Sequence, residues 1–260
     1  MPRPPTDTPF LASIRLARES VPSFDAYPFS LPAVSGMGTL AFHPAVTFLV
    51  GENGSGKSTL LEGIAVALGL NPEGGSRNFN FATRASHSPL SEHLVPQRSL
   101  SKPRDLWFLR AESFFNVASE IERLDQEGSA PRIISSYGGR SLHEQSHGES
   151  FFALFRNRFG GGGLYLLDEP EAALSPMRQL GFLSMMHDLI RLGSQFVIAT
   201  HSPIIMAYPQ AWIYSLGGAA VSRVRYEETE HYRVTRGFLN HPARSLEVLM
   251  DREPNPERPL

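Results

Sequence analysis

Apolar residues along this chain fall into short runs bounded by glycine, proline and polar turns, a pattern of strands alternating with helices. The run TFLV, Thr47–Val50, is β-branched and aromatic and stops at Gly51; apolar positions then recur at helical spacing from Lys57 to about Leu70. LYLL at Leu164–Leu167 and QFVIAT at Gln195–Thr200 read as two more buried strands, with a helix from about Pro176 to Leu192 between them. Strand, helix, strand in that order predicts a parallel pair joined by a right-handed crossover. Leu106–Leu109 reads as a further short strand, Phe114–Leu124 as a helix, and SHGESFFALFRNRF as a helix with a defined start that Gly160–Gly163 brings to an end. Upstream, the apolar pieces Phe10–Leu16 and Phe29–Val34 suit an antiparallel edge sheet. Between Asn71 and Leu106 the periodicity fades into Gly, Ser, Asn, Pro and Arg, which predicts a flexible insertion rather than a second core. The polar, proline-rich tail from Arg252 predicts a frayed end.

Length and composition bound what these elements build. A chain of 260 residues with 41% hydrophobic content buries one sizeable core, so a single α/β domain over 1–260 is expected. Lys and Arg total 24 against 26 Asp and Glu, and a net charge near −2 supplies no large positive field to hold nucleic acid by phosphate neutralisation alone. Cysteine is absent, which removes disulfides, thiolate metal sites and thiol catalysis. No apolar run is long enough for a membrane-spanning helix, and MPRPPTDTPF lacks the apolar centre of a signal peptide. A cytoplasmic location is the expectation.

Chemistry concentrates at the strand ends. Gly51-Glu-Asn-Gly-Ser-Gly-Lys-Ser58 fits G-x-x-x-x-G-K-[ST], a loop whose backbone N–H groups cradle phosphates. Its glycines permit close approach of the main chain, the following helix offers its positive end, Lys57 supplies a cation to the β and γ phosphates, and Ser58 a hydroxyl to Mg²⁺. LYLLDEPE puts Asp168 and Glu169 where an apolar strand stops, the side of an open α/β sheet on which ligands bind. Asp168 is then a candidate to hold Mg²⁺ through water, and Glu169 to polarise an attacking water. An acidic turn serving only a helix N-terminus would look the same from that pair alone. His201 in IATHSP follows a third such strand, as a γ-phosphate contact or as a structural imidazole satisfied by a neighbouring carbonyl. Ser146-His-Gly-Glu149 has the S-x-x-E form of a capping box, hence a helix start with free N–H donors.

Together GENGSGKSTLLEGIA, SHGESF, LLDEPEAALSP and ATHSP resemble the ABC ATPase superfamily over Val46–Trp212. Within it the chain is similar to the small soluble AAA/ABC-type ATPases of the RecF, OLD and chromosome-maintenance branch, and RESVPSFDAYPFSLPAV and YEETEHYRVTRGFLNHP extend that likeness toward both ends. The resemblance implies a P-loop NTPase fold: a mostly parallel central sheet, an antiparallel N-terminal edge sheet, and a helical signature subdomain at about 107–160. It implies ATP and Mg²⁺ as ligands, with Asn53, Gly54, Ser55, Gly56, Lys57, Ser58 and Thr59 wrapping the triphosphate and Thr59 near the α-phosphate. Ser146 and Gly148 would reach across an ATP-bound homodimer, Ala172–Ser175 would be the D-loop coupling its two sites, and His201 the switch histidine. Hydrolysis of ATP would drive a conformational switch acting on an unidentified protein or nucleic-acid partner, in DNA maintenance or defence; the alternative is the ATP-binding subunit of a membrane transporter. Two departures stand out. The signature reads SHGES rather than LSGGQ, and no Q-loop glutamine follows Leu106–Leu109, where Arg110-Ala-Glu112 stands; Glu112 and Gln97 are the candidates for that place. Phe24 and Tyr27 read first as core or edge-strand aromatics, and otherwise as candidates to stack on adenine.

Overall fold

The computed structural model describes residues 8–76, 88–110, 147–217 and 221–250, together with Ser119, Glu122, Arg123 and Asp125. Its strands are β1 (Leu11–Leu16), β2 (Thr39–Ala41), β3 (Val46–Val50), β4 (Gly75–Ser76), β5 (Leu94–Arg98), β6 (Asp105–Arg110), β7 (Gly163–Asp168), β8 (Gln195–Ala199), β9 (Trp212–Ser215) and β10 (Ser222–Val224). Its helices are α1 (Pro32–Ser35), α2 (Lys57–Ala67), α3 (His147–Arg158), α4 (Pro176–Arg191), α5 (Glu230–Asn240) and α6 (Pro242–Met250).

Seven strands form the main sheet in the order β10-β9-β3-β8-β7-β6-β4. The five from β9 to β6 run parallel, and β10 and β4 close the edges antiparallel. Register aligns the carboxyl ends: Arg110 stands beside Asp168, Asp168 beside Ala199, and Ala199 beside Leu49. Every residue of β3, β7 and β8 is buried, so these strands read as unbroken apolar runs with both faces covered. The pleat sends alternate side chains to opposite layers: Trp107 and Leu109 join the core under α3 and α4, whereas Leu106 and Phe108 join the core under α2.

Helix α3 docks through Phe151 and Phe155, four positions apart, continued by Phe159 just past its end. Phe155 meets Phe182 of α4 with ring centroids 4.9 Å apart, and Phe159 stacks on Tyr165 of β7 at 4.2 Å. Burial of each such ring contributes roughly 2–3 kcal/mol, which fixes the helix against the sheet.

A smaller antiparallel sheet, β2-β1-β5, covers the N-terminal side. Gln195, fully buried, staples the two sheets together: its amide accepts from Leu11 N and donates to Leu11 O, both at 2.9 Å, and also donates to His43 O at 3.0 Å.

Several sequence expectations change here. Phe29–Val34 is not a strand; Pro32 starts α1, a position where its missing N–H costs nothing, and Phe29 packs edge-on against His93. The stretch 71–106 carries β4, a 3₁₀ turn at Pro89–His93 and β5, which pairs along β1. Pro96 disguises β5, yet an outer strand tolerates a residue without an N–H. Strands β9 and β10 extend the sheet beyond what apolar runs suggested. Glu112, Ser146, most of Phe114–Leu124 and the tail from Arg252 lie outside the described residues.

Candidate functional site

The loop after β3 gives the site its floor. Leu216 N donates to Val50 O at 2.7 Å, which draws the Leu216 carbonyl so close to Gly51 that any Cβ there would collide with it. Gly56, at φ 96°, turns the chain into α2. Lys57 is buried, and its ammonium folds back onto the loop, donating to Gly51 O at 2.9 Å and Glu52 O at 3.0 Å. Burial lowers its pKa, while Glu169, Asp168 and Glu171, in that order, act to keep the proton on. Ser55 Oγ is buried with no hydrogen-bond partner among the described residues.

Two carboxylates arrive from β7. Ser58 Oγ, in the first turn of α2, donates to Asp168 Oδ1 at 2.9 Å. Arg110, ending β6, donates to Glu62 of α2 at 2.7 Å and holds its Nε 3.6 Å from Asp168 Oδ2. Arg110 thus sets a cation at this strand end, two positions before Glu112, which lies outside the described residues. Gln97 lies in the other sheet, where it accepts from Ser13 Oγ at 2.9 Å.

Glu169 leaves the strand abruptly. Its N–H still donates to Ala199 O at 2.9 Å, but its backbone takes φ 50° and ψ 53°, a left-handed conformation that costs a side-chain-bearing residue about 1–2 kcal/mol. The turn swings the carboxylate outward, so that its side chain is 40% exposed beside buried Asp168. Such strain at a strand end is typical of functional positions.

His201 follows β8 and points its Nε2 toward Glu169 Oε1 at 3.4 Å, the loose end of hydrogen-bonding range. That nitrogen is buried and makes no hydrogen bond to the described residues. Glu171, in the turn Pro170–Ala173, accepts from His201 N at 2.6 Å, and burial pushes its carboxyl pKa up despite this bond. On the other side of the ring, His201 Nδ1 lies 2.8 Å from His231 Nε2. Burial and then Lys57 hold the His201 imidazole below its ordinary pKa.

The structure thus brings Lys57, Ser58, Asp168, Glu169 and His201 together on one edge of the sheet. Asn53 and Gly54 lie on the outer, exposed part of the loop, and Thr59 Oγ1 is 3.3 Å from the hydroxyl of exposed Tyr27. Phe24 instead has its ring face covered by the Arg18 guanidinium, 4.3 Å from the centroid. Gly148 is buried beneath Arg178 and the Ala173 carbonyl, while Glu149 beside it is exposed. Ser175, at the end of 172–175, caps α4 by accepting from Arg178 N at 3.4 Å.

These residues fit a nucleotide triphosphate with its magnesium. Among the described residues, an ammonium hydrogen-bonded only to its own loop, a buried serine hydroxyl without a partner and an imidazole nitrogen without a partner are groups that phosphate oxygens would satisfy. Among the described residues no cluster of three His, Asp or Glu could hold a metal by itself. Ser58 and Asp168 would serve as the one or two protein ligands that magnesium takes alongside substrate phosphates. Sequence reasoning missed Glu171, Arg110 and His231; only the position of Glu171 within LLDEPE hinted at a role.

Comparison with known proteins finds ATP-binding relatives. Residues 35–129 match the AAA domain family, and 86–207 match a second AAA domain family described with the AbiEii toxin of a type IV TA system. A Geobacter sulfurreducens protein named as an ABC transporter ATP-binding protein is 29% identical over 197 residues, 68% of this chain and 67% of its own length. A cytochrome c biogenesis ATP-binding export protein, CcmA of Rhodopseudomonas palustris, is 30% identical over 166 residues, 60% of this chain and 78% of its own. The solved structure of cbiO1 from Clostridium perfringens, part of an ABC transporter complex, aligns with 84% of this chain and 92% of its own at a TM-score of 0.43 and 17% identity. Relatives at this level, one of them 30% identical across more than two thirds of its length, make the chain a member of the ABC-type ATP-binding family.

Proposed function

We propose that the protein is a cytoplasmic ATPase that binds ATP between two head-to-tail copies of itself and uses hydrolysis to time the opening of that dimer. The convergence of Lys57, Ser58, Asp168, Glu169 and His201 at aligned strand ends carries this reading. Asn53 to Thr59 wrap the phosphates, with Lys57 moving from its own loop carbonyls to the β and γ phosphates. Ser58 and Asp168 would hold Mg²⁺, which when bound neutralises charge on the phosphate oxygens. Glu169 accepts a proton from water as the water oxygen attacks the γ-phosphorus and the bond to the β–γ bridging oxygen breaks, giving ADP and phosphate. His201 donates to the γ-phosphate and steadies Glu169. Ser146 and Gly148 of the facing copy close the pocket. Because the γ-phosphate is held from both sides, its loss removes contacts made only in the closed dimer, so hydrolysis favours separation. The partner driven by this cycle is a protein or nucleic acid.

The names of the relatives favour a second reading, the ATP-binding subunit of a membrane transporter. The sequence Arg110-Ala-Glu112, without a glutamine after that strand, and the SHGES signature support the first. A phosphate-release assay on the purified chain tests the reaction, and light scattering with and without ATP tests the dimer. Absence of release together with a monomer at saturating ATP would refute the proposal. Turnover only in the presence of a co-purified membrane protein would favour the transporter.

A further inference from the structure

We infer that His231, on helix α5, is a positioning residue that sets the tautomer and ring orientation of His201. The inference rests on the reading of His201 given above and adds a second imidazole to it.

Two ties fasten the C-terminal segment to the turn that carries His201. Tyr226 donates its hydroxyl to Pro203 O at 2.8 Å, two residues past His201. His231 Nε2 then meets His201 Nδ1 at 2.8 Å, the two rings crossing at 62° with centroids 5.0 Å apart. His231 itself is firmly placed, because it is the second residue of α5. Buried Thr229 caps that helix, accepting from Tyr232 N at 3.4 Å and donating to Tyr226 O at 2.7 Å.

One proton lies between the two rings, and the contact on the other side of His201 shows which ring carries it. If His201 donated through Nδ1, its neutral ring would turn a lone pair at Nε2 toward the Glu169 carboxylate 3.4 Å away, lone pair against anion. If His231 donates, His201 Nδ1 accepts and its Nε2 carries the hydrogen, directed at Glu169 and free to reach a phosphate oxygen. The doubly protonated ring would satisfy both sides, but burial and Lys57 disfavour that charge. His231 faces Lys57, Glu230 and Glu52; burial and Lys57 keep it neutral too, so it offers a single N–H. A hydrogen bond at one imidazole nitrogen fixes what the other can do, and that is the service His231 performs.

The test needs a variant without a donor and one that retains it. His231→Phe keeps a ring in the space and removes the donor; His231→Gln keeps an N–H near the Nε2 position. Nitrogen NMR at pH 8 distinguishes N–H from lone-pair nitrogens in neutral rings, and His201→Asn identifies the His201 signals among those of nine histidines. The wild type is expected to show His201 protonated at Nε2, His231→Gln the same, and His231→Phe a mixture of tautomers. Turnover of ATP should fall about tenfold in His231→Phe with KM within about twofold, and stay near wild type in His231→Gln, in the 10–100-fold range typical of losing an orienting partner. A wild-type His201 protonated at Nδ1, or a His231→Phe protein with unchanged tautomer and turnover, would overturn the inference. The wild-type spectrum decides the matter even if His231→Phe does not fold. A wild type that hydrolyses no ATP would refute the proposed reaction instead, leaving the tautomer result to stand by itself.

Discussion

Ser58 Oγ donates a 2.9 Å hydrogen bond to Asp168 Oδ1, joining the first turn of α2 to the end of β7 across 110 positions of sequence. In the proposed reading this hydroxyl and carboxylate would hold magnesium, and Glu169, the residue directly after β7, would stand just outside them. In Glu169→Gln the outward side chain keeps its size but loses its basicity. ATP hydrolysis should fall at least 10²-fold, the usual scale for a lost general base, while ATP binding persists. Gel filtration with light scattering should show an ATP-dependent dimer accumulating; wild-type turnover would remove Glu169 from the role of base.

Lys57 donates to two carbonyls of its own loop, so its ammonium is already held near the place a phosphate would occupy. Lys57→Ala leaves those carbonyls to water and takes away a charged donor worth about 1.5–3 kcal/mol to an anionic ligand. Affinity for ATP measured by calorimetry should weaken by roughly 10- to 100-fold. An unchanged dissociation constant would show that the loop does not hold the triphosphate.

Gly51 can be tested for folding apart from chemistry. Its missing Cβ leaves room for the Leu216 carbonyl, and Leu216 is itself pinned by a 2.7 Å bond to Val50 O, so neither side can yield cheaply. Gly51→Ala should lower unfolding free energy by about 1–3 kcal/mol, the range for forced overpacking, read from urea denaturation. Stability equal to wild type would mean that the loop relaxes away from Leu216.

Arg110 is expected to matter through charge. Its partners Glu62 and Asp168 are both largely buried, and without the guanidinium two carboxylates on neighbouring elements lose the cation that both approach. Arg110→Met keeps the aliphatic packing and should destabilise by roughly 1–3 kcal/mol, between the exposed and buried ion-pair limits. Denaturation at pH 7 measures this, and a change below about 0.5 kcal/mol, the level of an ordinary surface substitution, would argue against it.

The parallel core was legible in the sequence because strands buried on both faces are continuous apolar runs, and VTFLV, GLYLLD and QFVIA could hardly be anything else. The strand-end motifs followed from the same rule, since each run stops at a residue with chemistry. Edge elements were hidden. In β5, LVPQR, only Leu94 is buried and a proline interrupts the pattern; in β10, SRV, none is fully buried. Phe29–Val34 misled because apolar content alone does not distinguish a strand from a turn leading to a proline-started helical turn. His231 was out of reach for a different reason. Its importance comes from a long-range contact to His201, and nothing within EHYRVTRG marks a histidine that faces a site from one that faces water.

The same pair of histidines predicts how stability responds to acid. Burial, followed by Lys57, holds both imidazoles below their ordinary pKa, against the opposing pull of Glu169 on His201 and of Glu230 and Glu52 on His231. The unfolded chain therefore binds these protons more readily than the folded one. Their contribution is fully present above the unfolded value of about 6.5 and is lost as pH falls through the lower folded values. Melting temperature should accordingly decline between pH 7 and pH 5 in the wild type. His231→Phe, having one such group fewer and a neighbour relieved of a second cation, should decline less steeply over the same interval even if it starts lower. Parallel slopes for the two proteins would show that His231 takes up its proton as easily in the folded state as in the unfolded, and that the contact with His201 does not govern its charge.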